Sequence, residues 1–235
     1  GGHLAHSLVK KGYKVTVYDL DPKLAERHIR DGATWAATPA ELASKVDAVF
    51  TCLPSPTVSE KVLTQILTTL KPGSTWIENS TNGRDEMIRL SKMAEAKGVR
   101  TLECPVTGGV HLAARGEITV LVGGESELFE FHRKALQSIG KKIFHMGPVG
   151  SAAIIKVITN MLAFIHLKAT SEALTHRSGT PSRVQAGLPA GRHKSTAYMI
   201  CMLSTPRTMA FVSRVVVPGS LVQYRLGSPE SSVPM

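Results

Sequence analysis

Between residues 3 and 147 short apolar runs alternate with amphipathic segments, and this alternation restricts the fold more than any other feature. KVTVYD (14–19), DAVFTCL (47–53), TWIEN (75–79), RTLECPV (100–106), ITVLVGG (118–124) and KIFHMG (142–147) read as strands. The intervals read as helices. HLAHSLVKKGY (3–13) puts Leu4 and Leu8 on one face and stops at Gly12. The next helix opens with Asp21 as N-cap and Pro22 in its first turn, and closes at Gly32. Others are predicted near 39–44, over 57–70 up to Lys71-Pro72-Gly73, over 83–97, and from 126 to about 138. Apolar strands separated by helices need cover on both faces. The expected fold is therefore α/β, a doubly wound, mostly parallel sheet.

After Pro148 and Gly150 the pattern changes to PVGSAAIIKVITNMLAFIHLKATSEAL (148–174), whose run from Ser151 lacks proline and glycine. Ala, Ile, Leu and Met fill most of it, which predicts a helix over 151–174 buried on several sides. Lys156 and Asn160, four residues apart, share one face of that helix. Desolvation lowers a lysine pKa and makes the amine a proton donor or acceptor near neutrality. A lysine that snorkels to the surface or pairs with an acid fits the same pattern. Lys156, His166, Lys168 and Glu172 interrupt the run and argue against a membrane span.

Open α/β sheets bind ligands at the carboxyl ends of their strands. Four strand ends carry groups suited to that. Asp19 closes the first strand, where an acid can accept hydrogen bonds from ribose hydroxyls and repel a 2′-phosphate; a turn or helix cap uses the same residue. Gly1 stands 18 residues before Asp19, where the third glycine of a GxGxxG turn would fall, with the first strand and two glycines upstream. Leu53-Pro54 and Asn79-Ser80-Thr81 follow two further strands. Thr107-Gly108-Gly109 follows another, and its consecutive amides can cradle a carboxylate, although a plain turn has the same composition. The loop runs on to Gly116, long for a simple connector.

Composition narrows the remaining classes. The formal charge is +10, of which +6 lies beyond residue 174, where seven Lys or Arg face Glu230 alone. Residues 1–174 carry only +4, so the predicted globular part has no marked call for nucleic acid. Three cysteines without CxxC spacing fit a reducing compartment, cytoplasmic or mitochondrial, and no disulfide framework. Nine scattered histidines form no ligand motif, and no metal is expected.

ECPVTGGVHLAARGEITVLVGG (103–124) resembles the substrate-loop signature of the β-hydroxyacid dehydrogenase family, which includes 3-hydroxyisobutyrate dehydrogenase, tartronate semialdehyde reductase and glyoxylate/succinic semialdehyde reductases. YDLDP (18–22), LPSP (53–56), NST (79–81) and GxxxxxKVITNM (150–161) are similar to its other blocks, in order and spacing, across about residues 1–174. The resemblance implies a Rossmann domain that binds NAD, or NADP, along its strand ends, and a long helix that opens an all-helical second domain. It implies that Lys156 is the acid/base and that Asn160 orients the substrate. Thr107, Gly108 and Gly109 would hold the substrate carboxylate. Gly1, Asp19, Leu53, Pro54 and Thr81 would contact the cofactor, with Asp19 favouring NAD.

The chain departs from that pattern at both ends. The first strand and two cofactor glycines are absent, and Gly1-Gly2 is expected to be the end of a fragment. The missing strand is expected to leave its sheet neighbours unpaired and the NAD affinity poor. Residues 175–235 hold six prolines, almost no acids and no sustained periodicity, and are expected to be a low-order basic tail from an altered frame or a divergent extension. The expected division is a Rossmann domain over 1–148, an interdomain helix over 149–174, and the tail. A homo-oligomer like the family's would need the helical domain. The competing function is a non-catalytic remnant whose tail binds polyanions or nucleic acid.

Overall fold

In the computed structural model, residues 1–178 and the pair Val212–Ser213 are described, with side chains described through Leu174. Eight helices and nine strands make up the described part: α1 (Gly2–Lys10), β1 (Thr16–Asp19), α2 (Glu26–Arg30), β2 (Thr34–Trp35), α3 (Pro39–Ser44), β3 (Ala48–Thr51), α4 (Pro56–Ile66), β4 (Thr75–Glu78), α5 (Arg84–Glu95), β5 (Arg100–Glu103), β6 (Val106–Thr107), α6 (Val110–Ala114), β7 (Ile118–Gly123), α7 (Ser126–Ile139), β8 (Gly140–Gly147), α8 (Ser151–Ser178) and β9 (Val212–Ser213).

β3, β4 and β5 are parallel and in step, with Thr51, Glu78 and Glu103 forming one row at their carboxyl ends. β7 pairs antiparallel with β5 and β6 and parallel with β8. Successive residues of a strand face opposite sides. Val49 and Trp76 accordingly pack in one core cluster beneath α4 and α5, while Phe50, Ile77 and Leu102 pack in the other with α1 and α7. This is the doubly wound, mostly parallel sheet that the alternation predicts.

Side-chain caps fix several helix starts, and the sequence marks the one at Asp21. Asp21 Oδ1 accepts the Lys23 amide at 3.1 Å, and Pro22 begins a 3-10 turn. That turn ends at Leu24 and α2 starts afresh at Glu26, so the single predicted helix to Gly32 is broken in two. Thr38 and Ser55 cap α3 and α4 by accepting the amides of Glu41 and Val58. Ser55→Ala is expected to lower stability by about 1 kcal/mol, measured by urea denaturation.

Three expectations need correction. The apolar run of α8 predicts burial on several sides, yet Ile155, Val157, Ile158, Met161, Leu162 and Ile165 stand exposed. Only its first turns pack on the domain, through Ala152, Ala153 and Lys156. By length and composition Ser151–Leu174 would also span a membrane, with mean hydropathy 1.5, but its start is built into the sheet domain. The helix also continues past Leu174 to Ser178. Finally, β1 is not left with one neighbour: it pairs with β2, and its other edge pairs in parallel with β9, Tyr18 opposite Val212 and Asp19 opposite Ser213. β9 also lies against β3, between the two parts of the sheet. The rest of the expected low-order tail lies outside the described residues.

Candidate active site

The aligned ends of β3, β4 and β5 are joined by hydrogen bonds that cross from strand to strand. The Asn79 amide donates to the Thr51 carbonyl at 2.6 Å, and the Cys104 amide to the Glu78 carbonyl at 2.6 Å. Beyond the strand ends, side chains take over. The Ser80 hydroxyl accepts the Leu53 amide at 2.6 Å, and Asn79 Nδ2 donates to the Cys104 carbonyl at 2.7 Å. The loops that carry Leu53-Pro54, Asn79-Ser80-Thr81 and Cys104-Pro105 therefore form one connected rim. Leu53 is buried, Pro54 half-buried and Thr81 exposed.

Two carboxyl groups lie beneath this rim, and the family pattern did not single out either. Glu78 is fully buried; its Oε1 accepts the Ser80 amide at 2.7 Å, and the hydroxyls of Ser80, Thr51 and Ser59 favour its charged form. Burial outweighs them and raises its pKa from 4.5 to about 7. Glu103 is buried beside it in register, and its Oε2 accepts the Gly150 amide at 2.6 Å. Burial raises its pKa too, opposed by the amides of Gly150, Ala153 and Ala152. The readable signal was an acid closing an apolar strand, in TWIE and RTLE.

Lys156 is 7% exposed, so it neither snorkels nor forms an ion pair with a described acid. Desolvation lowers its pKa from 10.5 to about 8, and the nearby Cys52 side chain works in the opposite direction. That puts the amine within electrostatic reach of Cys52, which follows β3. Gly1 also lies beside Cys52 and near Asp19. Gly1, Asp19, Cys52, Leu53 and Lys156 thus share one end of the sheet. Asn160, one turn beyond Lys156, is half-buried.

Thr107 ends β6, held by pairing with Thr119 on β7. Gly108 and Gly109 follow with φ of 123° and 86°, values that side chains resist, and Gly109 opens the short helix α6. Leu112 folds back over Gly108: a Cβ on that glycine would collide with Cδ1 of Leu112. The long loop expected after Gly109 is thus partly helical.

The nucleotide end is narrower. Asp19 is buried, and its Oδ1 accepts the Asp21 amide at 3.0 Å. A crevice between α1 and the turn after β1 is lined by Gly2, Tyr18, Asp19 and His28 among others. α1 starts at Gly2. A helix start beside a buried acid fits the pyrophosphate and ribose of a dinucleotide. A larger cleft of about 610 Å³, with Glu95, Arg100 and His145 in its wall, opens at the start of β5 and the ends of β7 and β8, not at the ends of β3 and β4. Among the described residues no group of three His, Cys, Asp or Glu is arranged to hold a metal.

Comparison with known proteins agrees with this geometry. Residues 1–147 match the NAD binding domain of 6-phosphogluconate dehydrogenase. Mitochondrial 3-hydroxyisobutyrate dehydrogenase of Rattus norvegicus is 34% identical over 191 residues, 79% of this chain and 57% of the relative. Cytokine-like nuclear factor N-PAC of Homo sapiens is 30% identical over 178 residues, 74% of this chain and 32% of the relative. The structure of Mycobacterium tuberculosis 3-hydroxyisobutyrate dehydrogenase with L-serine aligns with a TM-score of 0.72 and 28% identity, over 76% of this chain and 62% of that one. The chain spans little more than half the length of the dehydrogenases it matches. Its sheet, its strand-end loops and these matches agree, and the chain belongs to the β-hydroxyacid dehydrogenase family, built on the NAD binding domain of 6-phosphogluconate dehydrogenase.

Proposed function

We propose that the full protein is an NAD(P)-dependent oxidoreductase that interconverts a small 3-hydroxyacid and its semialdehyde. The observation that carries this is Lys156: a buried amine with its pKa drawn down to about 8, within electrostatic reach of Cys52 just beyond β3. The cofactor, when bound, supplies or takes the hydride. The protein's own part is to bind, orient and move a proton. Lys156 Nζ donates that proton to the oxygen left by a reduced carbonyl, and the neutral amine takes it back in the oxidation. Asn160, on the same face of α8, holds the reacting hydroxyl or carbonyl. The Thr107, Gly108 and Gly109 amides fix the substrate carboxylate at the far end. Leu53 and Pro54 line the nicotinamide, and Thr81 stands exposed on the same rim.

Asp19 supports NAD as the preferred cofactor, because its carboxylate can accept the ribose hydroxyls and repels a 2′-phosphate. Asp19→Ala in the full-length protein is expected to narrow the NAD/NADP preference about tenfold, worth ~1.4 kcal/mol. An unchanged ratio removes Asp19 from the cofactor site. The division proposed with this function is a dinucleotide domain over 1–148, with 149–174 opening a substrate-covering helical region.

The assay that tests the reading follows NADH formation by the full-length protein with 3-hydroxyisobutyrate, L-serine and other short hydroxyacids. Turnover is expected with a carboxylate one carbon removed from the hydroxyl-bearing carbon, and not with the corresponding methyl esters. Absence of turnover and of NADH binding favours a non-catalytic protein, in which binding to polyanions that collapses with salt would mark the basic tail as the working part.

A further inference from the structure

Glu103 takes no part in the proton transfer just described, yet it is buried between the two protein elements that would hold the substrate. We propose that Glu103 is a positioning residue that locks the Thr107-Gly108-Gly109 loop and the Lys156 turn of α8 into one fixed relation. This rests on the reading of Lys156 and of that loop given above.

The carboxylate belongs to β5, but the amides it accepts belong to α8. Gly150 donates to Oε2 at 2.6 Å, and Ala152 and Ala153 present their amides to the same group. The first turn of α8 contains no acid of its own. A helix start leaves several amides without intrahelical partners and carries positive partial charge. Glu103 supplies the missing cap from 47 residues away in the sequence. The link is therefore tertiary, and it fixes a helix to a strand rather than a helix to its own flank.

From Glu103 the path to each half of the site is short and stiff. In one direction the chain passes through Cys104 and Pro105, whose carbonyl accepts the Leu121 amide at 3.0 Å. It then enters β6, where Val106 and Thr107 pair with Val120 and Thr119. Thr107 begins the loop. In the other direction α8 runs from Gly150 to Lys156, about 9 Å at 1.5 Å per residue. A loss of the cap would free the helix start from the loop, and reacting groups misplaced by about 1 Å lower turnover strongly.

The opposite wall shows that the slot is shaped for this carboxylate. Gly123 on β7 pairs directly with Glu103. A Cβ there would collide with Glu103 Oε2 and would lie 3.1 Å from the Pro148 carbonyl oxygen. Gly123 is not among the glycines with positive φ, so it is needed for space and not for backbone conformation.

Two substitutions in the full-length protein test the proposal. Glu103→Gln removes the charge and adds no heavy atom; Gly123→Ala keeps the charge and pushes the carboxylate out of its slot. Each is expected to lower kcat for hydroxyacid oxidation about tenfold or more while the Kd for NADH stays within twofold. Hydrogen exchange is expected to quicken at the amides of Gly150, Ala152 and Ala153, with β3 and β4 still protected. Glu103→Asp in the Gly123→Ala background makes room and is expected to recover part of the kcat. A kcat within twofold of the unaltered protein in both variants overturns the proposal, as does a loss that tracks NADH affinity. If Gly123→Ala does not fold, Glu103→Gln decides alone. Lack of turnover in the unaltered protein sinks the reading of Lys156 instead, whereas turnover that survives both substitutions sinks only the role of Glu103.

Discussion

Lys156→Ala in the full-length protein is expected to lower kcat by roughly 10²–10⁴, the usual worth of a positioned acid/base, while NADH still binds. The size follows from the position of the amine. It is buried, its pKa is about 8, and it can stabilise the charge on an oxygen gaining an electron pair in a water-poor site. Lys156→Arg should not restore turnover, since guanidinium stays protonated and cannot act as the base. The pH profile of kcat/KM should carry a limb at about 8 or below that vanishes in both variants. A Lys156→Ala enzyme within a few-fold of wild type, or one that fails to fold, would make the lysine structural.

Glu78→Gln is expected to change how stability depends on pH. The folded-state pKa of Glu78 is about 7 against an ordinary 4.5, so between those values the folded protein holds a proton that the unfolded chain has released. Stability therefore falls as pH rises through that window. A shift of this size corresponds to about 3 kcal/mol, fully expressed above pH 7 and absent below pH 4. Glutamine keeps an acceptor for the Ser80 amide and has nothing to ionise. The variant should match wild type at pH 4 and exceed its stability by up to about 3 kcal/mol at pH 8, as measured by urea denaturation. Histidines His6, His28 and His132 have lowered pKa values from burial and give a slope of opposite sign, but it is common to both proteins and cancels in the difference. Identical slopes in the two proteins would show that Glu78 is not the group that titrates.

Long periodic segments were legible in the sequence because burial leaves a repeating mark along the chain. The apolar strands predict β1, β3, β4, β5, β7 and β8, and the Asp21-Pro22 pair marks a helix start. Short elements left no such mark. Thr34–Trp35 is only two residues long, and Val110–Ala114 lies inside a loop bounded by glycines on both sides. The pairing of β1 with Val212–Ser213 depends on chain ends meeting in space, which no local pattern records. At the site, Lys156 was visible as a charge in an apolar helix. Its neighbour Cys52 was not, because the two come within electrostatic reach only in the folded chain. Glu78 and Glu103 could be seen as acids closing strands, but their depth comes from the elements laid over them, and the sequence does not show depth.

The exposed apolar flank of α8 has a consequence for the acidity of Lys156. The amine owes its pKa of about 8 to loss of water on the side facing the sheet. One turn on, Asn160 is half-buried, and Ile155, Ile158 and Met161 around it are open to solvent. Any chain laid across that flank removes more water from the amine and carries its pKa further down. At about 8 the group is mostly an ammonium at neutral pH, suited to delivering a proton to a reduced carbonyl. Covered more deeply, it becomes a neutral amine, suited to taking one from a hydroxyl. The tightness with which α8 is enclosed would thus tune the direction of the reaction that the same lysine serves best.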